Sequence, residues 1–228
     1  MRRLIIATGL GLAIAVGGLW LFFAYGGNTS QSQKTPAGLL KAADEKLSKG
    51  NPDAVVKIVE YADVLCPFCS KVNAEVLPKI QTDYIAQGKV HYEVRLVAMI
   101  APDSQRAGEG AYCAAEQDKF WSYLDSAYER TWKDYYSNNK SPEEVPLFTQ
   151  SNIGTFARSV SLDMFNWDHC MESGKYKQVM LQNQAKMKEI GAFGTPHFII
   201  DDTNYSGAPP YATFKGVIDA ALRKAEAS

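Results

Sequence analysis

The sequence has no excess of charge of either sign, and this excludes one class of function at the outset. Its 24 lysines and arginines are balanced by 25 aspartates and glutamates, and the basic residues are scattered along the chain. A nucleic-acid-binding surface needs concentrated positive charge to neutralise phosphates. We therefore expect no nucleic-acid partner.

Candidate metal ligands are equally scarce. Among four cysteines and three histidines, only Cys66 and Cys69 form a C-x-x-C pair, and no second C-x-x-C or H-x-x-x-H pattern accompanies it. A structural zinc site requires four such ligands, so we expect no metal and no cofactor. A disulfide between Cys66 and Cys69 would close too small a loop to stabilise the fold much. Redox chemistry is the favoured interpretation, with zinc binding and a structural disulfide as alternatives.

The N-terminal residues 1–27 contain one long uncharged run. Two arginines precede the run from Leu4 to Gly27, which has the length of about 20 apolar residues that a bilayer-spanning helix needs. Since positive residues stay in the cytoplasm, the rest of the chain is expected outside. The run exceeds the usual apolar core of a signal peptide, so we expect a single-pass anchor through residues 4–25. The small-residue motif at 24–26 leaves cleavage, and a secreted or periplasmic protein, as the alternative.

The next part of the chain predicts a tether followed by strands and a helix. Residues 28–36 are polar and predict a flexible tether, and a short amphipathic helix is expected to end near Gly50. The apolar, β-branched run 54–62 predicts a strand buried on both faces, and the alternating run 89–99 predicts a parallel partner. The helix between them should start at the cysteines and be interrupted by Pro78.

The second half of the chain is mainly helical. Residues 103–190 contain almost no strand pattern but several stretches with helical spacing of apolar residues. The segment "GTPHFIIDD" then predicts a short strand, and an amphipathic helix closes the chain. This order favours an α/β sheet interrupted by a block of helices.

The two cysteines of the C-x-x-C pair occupy different environments. Cys66 falls where the first strand ends and the helix begins, and there the helix dipole and free N–H groups lower a thiol pKa. Pro67 sits at the first helical position, where its missing N–H costs nothing. Cys69 lies one turn further in and is more shielded. We therefore predict Cys66 as the attacking thiolate and Cys69 as the resolving thiol.

Glu60 and the Thr195-Pro196 pair are further candidates. Glu60 interrupts the apolar strand six residues before Cys66; it lies either on a solvated face or buried behind the thiols, as their proton acceptor or donor. Pro196 starts a strand without an N–H to donate. A cis bond there would let the Thr195 backbone face the thiols and pair with an extended substrate.

Four motifs follow one another along the chain: "EYADVLCPFC", "AYCAAEQDKFWSYLD", "FNWDHCMES" and "AFGTPHFII". In this order they resemble the DsbA-like family of thiol-disulfide oxidoreductases, in the thioredoxin superfamily. The resemblance covers about residues 50–225. It implies a thioredoxin fold, at 51–101 and 192–228, interrupted by an all-helical insertion domain at 102–191. Residues 1–27 and 28–50 would precede this domain as membrane or signal segment and as tether with a short helix.

The resemblance also implies roles for individual residues. Cys66 falls on the family's nucleophile, Cys69 on the resolving cysteine, and Glu60 on the buried acid. Pro196 falls on the cis-proline, and Thr195 on the residue before it.

Phe68 departs from the best-known family members, which have histidine there. Phenylalanine cannot stabilise the Cys66 thiolate as histidine does, so the sequence does not determine how strong an oxidant the Cys66–Cys69 disulfide is. We expect Pro67 and an exposed Phe68 to contact substrate together with Thr195 and His197, which the superfamily layout places near the thiols.

The two remaining cysteines lie in the helical block. In an oxidising compartment free thiols are disfavoured, and some relatives carry a second disulfide in this region. We therefore predict a structural Cys113–Cys170 bridge.

The expected function is a thiol-disulfide oxidoreductase that forms disulfides in unfolded or reduced exported proteins. By family resemblance alone, a membrane protein of the DsbB or vitamin-K-epoxide-reductase-like kind would reoxidise it. The alternatives are a reductase or isomerase of the same fold, or a redox-inert chaperone or binding module.

Overall fold

The structure, a computed structural model, describes residues 46–141 and 146–227. The predicted membrane segment at 1–27, the tether, and most of the helix predicted before Gly50 lie outside these residues. Within the described ranges, no helix has both the length and the apolar character that crossing a bilayer requires.

Five strands form one mixed sheet. They are β1 (Ser48–Lys49), β2 (Val56–Ala62), β3 (Val90–Leu96), β4 (His197–Ile200) and β5 (Thr203–Ser206). Their order across the sheet is β1-β3-β2-β4-β5. The predicted parallel pairing of β2 with β3 is confirmed, and the other neighbours are antiparallel.

Both edge strands differ from the sequence prediction. Ser48–Lys49 pairs with β3 instead of ending the predicted amphipathic helix, because hydrogen bonding to a sheet edge overrides a weak local helical preference. β5 was not predicted. Asp201 and Asp202, which both adopt positive φ, connect it to β4 as a two-residue hairpin loop of the kind that such φ values favour.

The described ranges also contain eight α-helices. They are α1 (Pro67–Glu75), α2 (Leu77–Ile80), α3 (Ser104–Ala115), α4 (Phe120–Asp134), α5 (Ile153–Ser159), α6 (Met164–Ser173), α7 (Lys177–Glu189) and α8 (Tyr211–Glu226). The interruption predicted from Pro78 occurs two residues earlier, at Val76. Between β3 and β4, the described residues form helices and no strand.

The two faces of β2 pack against different clusters. Ile58 and Ala62 belong to the main core, which also contains the two thiols, whereas Tyr61 packs with Met187 and Ala192 on the other side. Lys57 is exposed, so β2 is buried on both faces only in its second half. Because side chains alternate along a strand, Glu60 shares the face of Ile58 and points into the main core.

The helical block is held together by a disulfide and by polar contacts. Cys113 on α3 and Cys170 on α6 are bonded to each other and buried. Trp167 on α6 donates its indole N–H to the carbonyl oxygen of Gly110, at 3.1 Å. Asn183 on α7 donates to the carbonyl oxygen of Leu96, at 2.9 Å, which ties the block to the end of β3.

Replacing both Cys113 and Cys170 by alanine should lower the free energy of unfolding by about 4 kcal/mol, because a bridge across this loop restricts the unfolded chain by that amount in the loop-entropy model. The two cysteines are 57 positions apart. Urea denaturation of the oxidised proteins measures the difference, which should disappear under strong reductant. An unchanged unfolding midpoint in the oxidised variant would show that helix packing alone holds the block.

Candidate active site

Cys66 lies at the N-terminal cap of α1, and its backbone is extended (φ -81°, ψ 123°). Its N–H donates to the carbonyl oxygen of Asp63, and its own carbonyl oxygen accepts from Ser70, each at 3.0 Å. Pro67 follows at the start of the helix. Cys66 and Cys69 are both buried and are not bonded to each other. The local sequence thus places Cys66 where helix N–H groups converge.

The two thiols differ in acidity. The hydrogen bond from Cys69 is the main cause that lowers the pKa of Cys66 from 9.0 to about 7; the Thr195 side chain and the N–H groups of Cys69 and Phe68 add to it, and burial opposes it. Burial is the main cause that raises the pKa of Cys69 well above 9.0, and the neighbouring Cys66 and Glu60 add to it. Near neutral pH, Cys66 therefore ionises while Cys69 holds its proton.

The peptide bond between Thr195 and Pro196 is cis, and it faces Cys66. The Cys66 thiol donates to the carbonyl oxygen of Thr195, at 3.2 Å. The Thr195 hydroxyl is buried and has no hydrogen-bond partner among the described residues. Once the Cys66 thiol has ionised, its sulfur can only accept hydrogen bonds. The Thr195 hydroxyl is then available to donate one to this thiolate. Such a donor lowers the pKa of Cys66.

Glu60 is buried behind the thiols, with 5% of its surface exposed, so the alternative of a solvated strand face is wrong. Its Oε2 accepts a hydrogen bond from the hydroxyl of Tyr92, at 2.6 Å. Burial raises the pKa of Glu60 to about 7; the bond from Tyr92 opposes this shift, and the charge of Cys66 adds to it. A carboxyl group with this pKa can both take up and release a proton near neutral pH.

Asp63, which we did not predict as a site residue, organises the loop before Cys66. Its buried carboxylate accepts from the N–H groups of Leu65, at 2.9 Å, and of Met99 and Ile100, at 2.6 and 3.0 Å. It therefore ties the approach to Cys66 to the segment after β3. An aspartate between a strand and a helix is typical of such loop-capping contacts, but its partners after β3 could not be read from the sequence.

Two phenylalanines that are close in sequence to Cys66 and Thr195 are exposed. Phe68, between the thiols, is 59% exposed, and Phe193, two residues before Thr195, is 77% exposed. Phe68 is a predicted contact residue, whereas Phe193 was not predicted. Since the sulfur of Cys66 touches Thr195, both rings belong to segments that meet at the nucleophile. They are therefore exposed apolar side chains on the two segments that carry Cys66 and Thr195.

His197 requires a correction. It was predicted to contact substrate because it follows Pro196, but it is buried, and its ring nitrogens lie 3.1 Å from Ser206 Oγ and 3.0 Å from Asn204 Oδ1. It pairs with Tyr61 in the sheet register, on the face opposite Glu60. The ring connects β4 to the edge strand β5, and a substrate-binding role does not fit this burial.

The described residues contain no group of three histidine, cysteine, aspartate or glutamate side chains placed to hold a metal ion.

Replacing Cys69 by alanine should raise the pKa of Cys66, because it removes the strongest hydrogen bond to the thiolate. Cys69→Ser is the matched control, since the serine hydroxyl keeps a hydrogen-bond donor at that position. This variant should therefore keep the pKa of Cys66 low. Thiolate absorbance at 240 nm against pH measures both variants. Equal midpoints in the two variants would contradict this role of Cys69.

Comparisons with known proteins agree with this arrangement. A family model described as "Thioredoxin" matches residues 42–220. The chain is 29% identical to "Disulfide bond formation protein D" of Bacillus subtilis, over 84% of this chain and 86% of that protein, and 28% identical to "Probable disulfide bond formation protein D" of Bacillus anthracis, over 78% of each.

Solved structures show the same fold at low sequence identity. Oxidised BdbD from Bacillus subtilis has a TM-score of 0.67 and 21% identity, and covers 81% of this chain and 95% of its own. Alpha-DsbA1 from Wolbachia pipientis has a TM-score of 0.66 and 22% identity, over 79% and 92%. Because the family model matches well over half of the chain, the chain belongs to the thioredoxin family.

Proposed function

We propose that this protein is an oxidase that forms disulfide bonds in exported proteins through Cys66-Pro67-Phe68-Cys69. The observation that carries the proposal is the unequal acidity of the two thiols, with the pKa of Cys66 lowered to about 7 and that of Cys69 well raised. This difference makes Cys66 the thiol that forms and releases the mixed disulfide and Cys69 the thiol that resolves it, whichever way the electrons flow. The names of the Bacillus relatives, which are called disulfide bond formation proteins, favour oxidation of the substrate.

The reaction begins with the oxidised Cys66–Cys69 disulfide. A substrate thiolate attacks the Cys66 sulfur, the bond to Cys69 breaks, and Cys69 leaves as a thiolate that takes up a proton. A second substrate thiolate then attacks the substrate sulfur of the mixed disulfide and releases the Cys66 thiolate. The substrate loses two electrons and gains a disulfide, while the enzyme gains both electrons.

Glu60 supplies and recovers the proton of Cys69. The departing Cys69 thiolate is buried and too basic to remain ionised, so a protonated Glu60 stabilises it by giving up its proton. During reoxidation the Cys69 thiol must ionise to attack, and the Glu60 carboxylate then accepts the proton. Its pKa of about 7 suits both steps.

Substrate binding involves the backbone beside the cis bond. An extended substrate segment pairs with the backbone of Thr195, just before Pro196 and ahead of the paired part of β4. Pro67, Phe68 and Phe193 add apolar contact, which suits unfolded chains because these expose their hydrophobic side chains.

Location and reoxidation follow from the N-terminal sequence and the family. We assign residues 1–27 to a membrane anchor, or to a signal peptide that is cleaved, with the catalytic part outside the cytoplasm. Residues 102–191 form the helical insertion of the thioredoxin-like domain. A quinone-linked membrane partner of the DsbB or vitamin-K-epoxide-reductase-like kind takes the electrons from Cys66.

A reductase or isomerase is the second candidate. The pKa of about 7 at Cys66 is close to that of the thioredoxin nucleophile and well above that of DsbA, about 3.5. Electrons would then flow from the enzyme to the substrate.

The reduction potential of the Cys66–Cys69 pair decides the direction. We expect a value clearly above the roughly -270 mV of thioredoxin, measured by equilibration in glutathione buffers. Cys66→Ala should abolish oxidation of a reduced model peptide. A potential near that of thioredoxin would overturn the oxidase proposal, and a Cys66→Ala variant that keeps its cellular role would favour a redox-inert chaperone or binding module.

Replacing Phe68 by histidine should make the enzyme more oxidising, because a charged imidazole beside Cys66 stabilises the thiolate. Each tenfold stabilisation of the reduced form raises the potential of a two-electron couple by about 30 mV. Phe68→Leu is the control, since it changes the ring without adding a charge and should leave the potential near the wild-type value. If both variants shift the potential equally, the effect is steric and the electrostatic explanation fails.

A further inference from the structure

Tyr92 makes a direct contact with the proton-exchanging group. Its hydroxyl donates to Glu60 Oε2 at 2.6 Å, and its side chain is completely buried. In the register of the parallel pair, Tyr92 lies opposite Ile58, two residues from Glu60, a diagonal distance that a tyrosine side chain can span. We propose that Tyr92 is a positioning residue, whose hydroxyl orients the Glu60 carboxylate and holds it ready to exchange a proton with Cys69.

The proposal rests on the proposed function of Glu60 and adds the group that controls it. Glu60 is a carboxylate in an apolar core, where burial favours the neutral acid. A hydroxyl that donates to the carboxylate favours the charged form instead, and the carboxyl group is balanced between the two.

Tyr92 itself stays protonated throughout the reaction. Burial is the main cause that raises its pKa well above 10.0, and the charge of Glu60 adds to this shift. The hydroxyl is therefore a permanent donor over the pH range in which Glu60 titrates. It holds the acid in place without being consumed as a proton source.

Other titratable groups around Glu60 come from the helices that cover it. Cys66 and Cys69 belong to the α1 segment, and the charges of Cys69 and Glu60 act on Tyr128 of α4. On β4, the residue opposite Glu60 is Phe198, which carries no charge. Unlike these residues, Tyr92 donates a hydrogen bond to the Glu60 carboxylate.

The proton balance is closed within the pair. When substrate opens the disulfide, Cys69 leaves as a thiolate and takes the Glu60 proton; when the oxidised membrane partner draws electrons from Cys66, Cys69 attacks and its proton returns to Glu60. Without the Tyr92 hydroxyl, Glu60 would remain protonated at neutral pH. The step that needs a base, the attack by Cys69, would then slow down.

Tyr92→Phe tests this role through the pH dependence of the Cys69 step. Reduced enzyme is mixed with excess oxidised glutathione in a stopped-flow instrument, so that resolution of the Cys66–glutathione disulfide limits the rate. Loss of a hydrogen bond to a charged group should move the midpoint of the pH profile upward by about one to two units. Because about half of Glu60 is ionised at pH 7 in the wild type, the rate there should fall about 5- to 50-fold.

Tyr176→Phe is the matched control. The Tyr176 hydroxyl also donates to a glutamate, Glu116 Oε1 at 2.7 Å, but this pair lies in the helical block. Its removal deletes the same kind of bond and should leave the pH profile unchanged. If Tyr92→Phe lowers thermal stability but keeps the wild-type midpoint, Tyr92 is merely structural and the proposal is overturned.

Glu60→Gln distinguishes a failure of the proposed role of Glu60 from a failure of the role of Tyr92. A variant that loses the pH dependence supports the role of Glu60, and Tyr92→Phe should then have no further effect on the profile in the double variant. A Glu60→Gln profile identical to that of the wild type would overturn the roles of both residues. The oxidase direction is tested independently by the reduction potential.

Incorporation of 3-fluorotyrosine at position 92 keeps the test decisive if Tyr92→Phe does not fold. The ring is retained and the hydroxyl becomes a stronger donor, so the midpoint should move downward. An unchanged midpoint would overturn the proposal.

Discussion

The antiparallel pairing of β2 with β4 is the constraint on which the whole site depends. It sets the end of β2 beside the start of β4, with Tyr61 opposite His197. Cys66 and Thr195, which are 129 positions apart, meet there in a hydrogen bond of 3.2 Å. Neither the helix start at Cys66 nor the cis bond at Pro196 would form a site without this register.

Burial then gives chemically similar groups different roles. Cys66 is reached by donors at the helix start and becomes acidic, whereas Cys69, one turn further in, is shielded and stays protonated. The same apolar surroundings raise the pKa of Glu60 to about 7, so its carboxyl group can exchange protons near neutral pH. One apolar core therefore gives two thiols and a carboxyl group the different acidities on which the proposed mechanism rests.

The helical block contributes to the site as well as to stability. α4 packs on α1, and Ser70 on α1 donates to the carbonyl oxygen of Tyr128, at 3.4 Å. Tyr136, just after α4, donates to the carbonyl oxygen of Leu65, directly before the nucleophile. These contacts connect the cysteine segment to the helical block and restrict its backbone. The helices inserted between β3 and β4 thus help to fix the position of Cys66.

By itself, the sequence determined the features that rest on neighbouring residues: the helix that starts at Cys66, its break near Pro78, and the order of the central strands β2, β3 and β4 with the helices between them, but not the two edge strands. These follow from local sterics and hydrophobic periodicity. Only the tertiary structure decided that Asp63 binds the segment after β3, that Tyr92 meets Glu60, and that His197 faces away from the thiols. Such contacts join distant segments, and strand register and packing, which no local pattern encodes, bring their partners together.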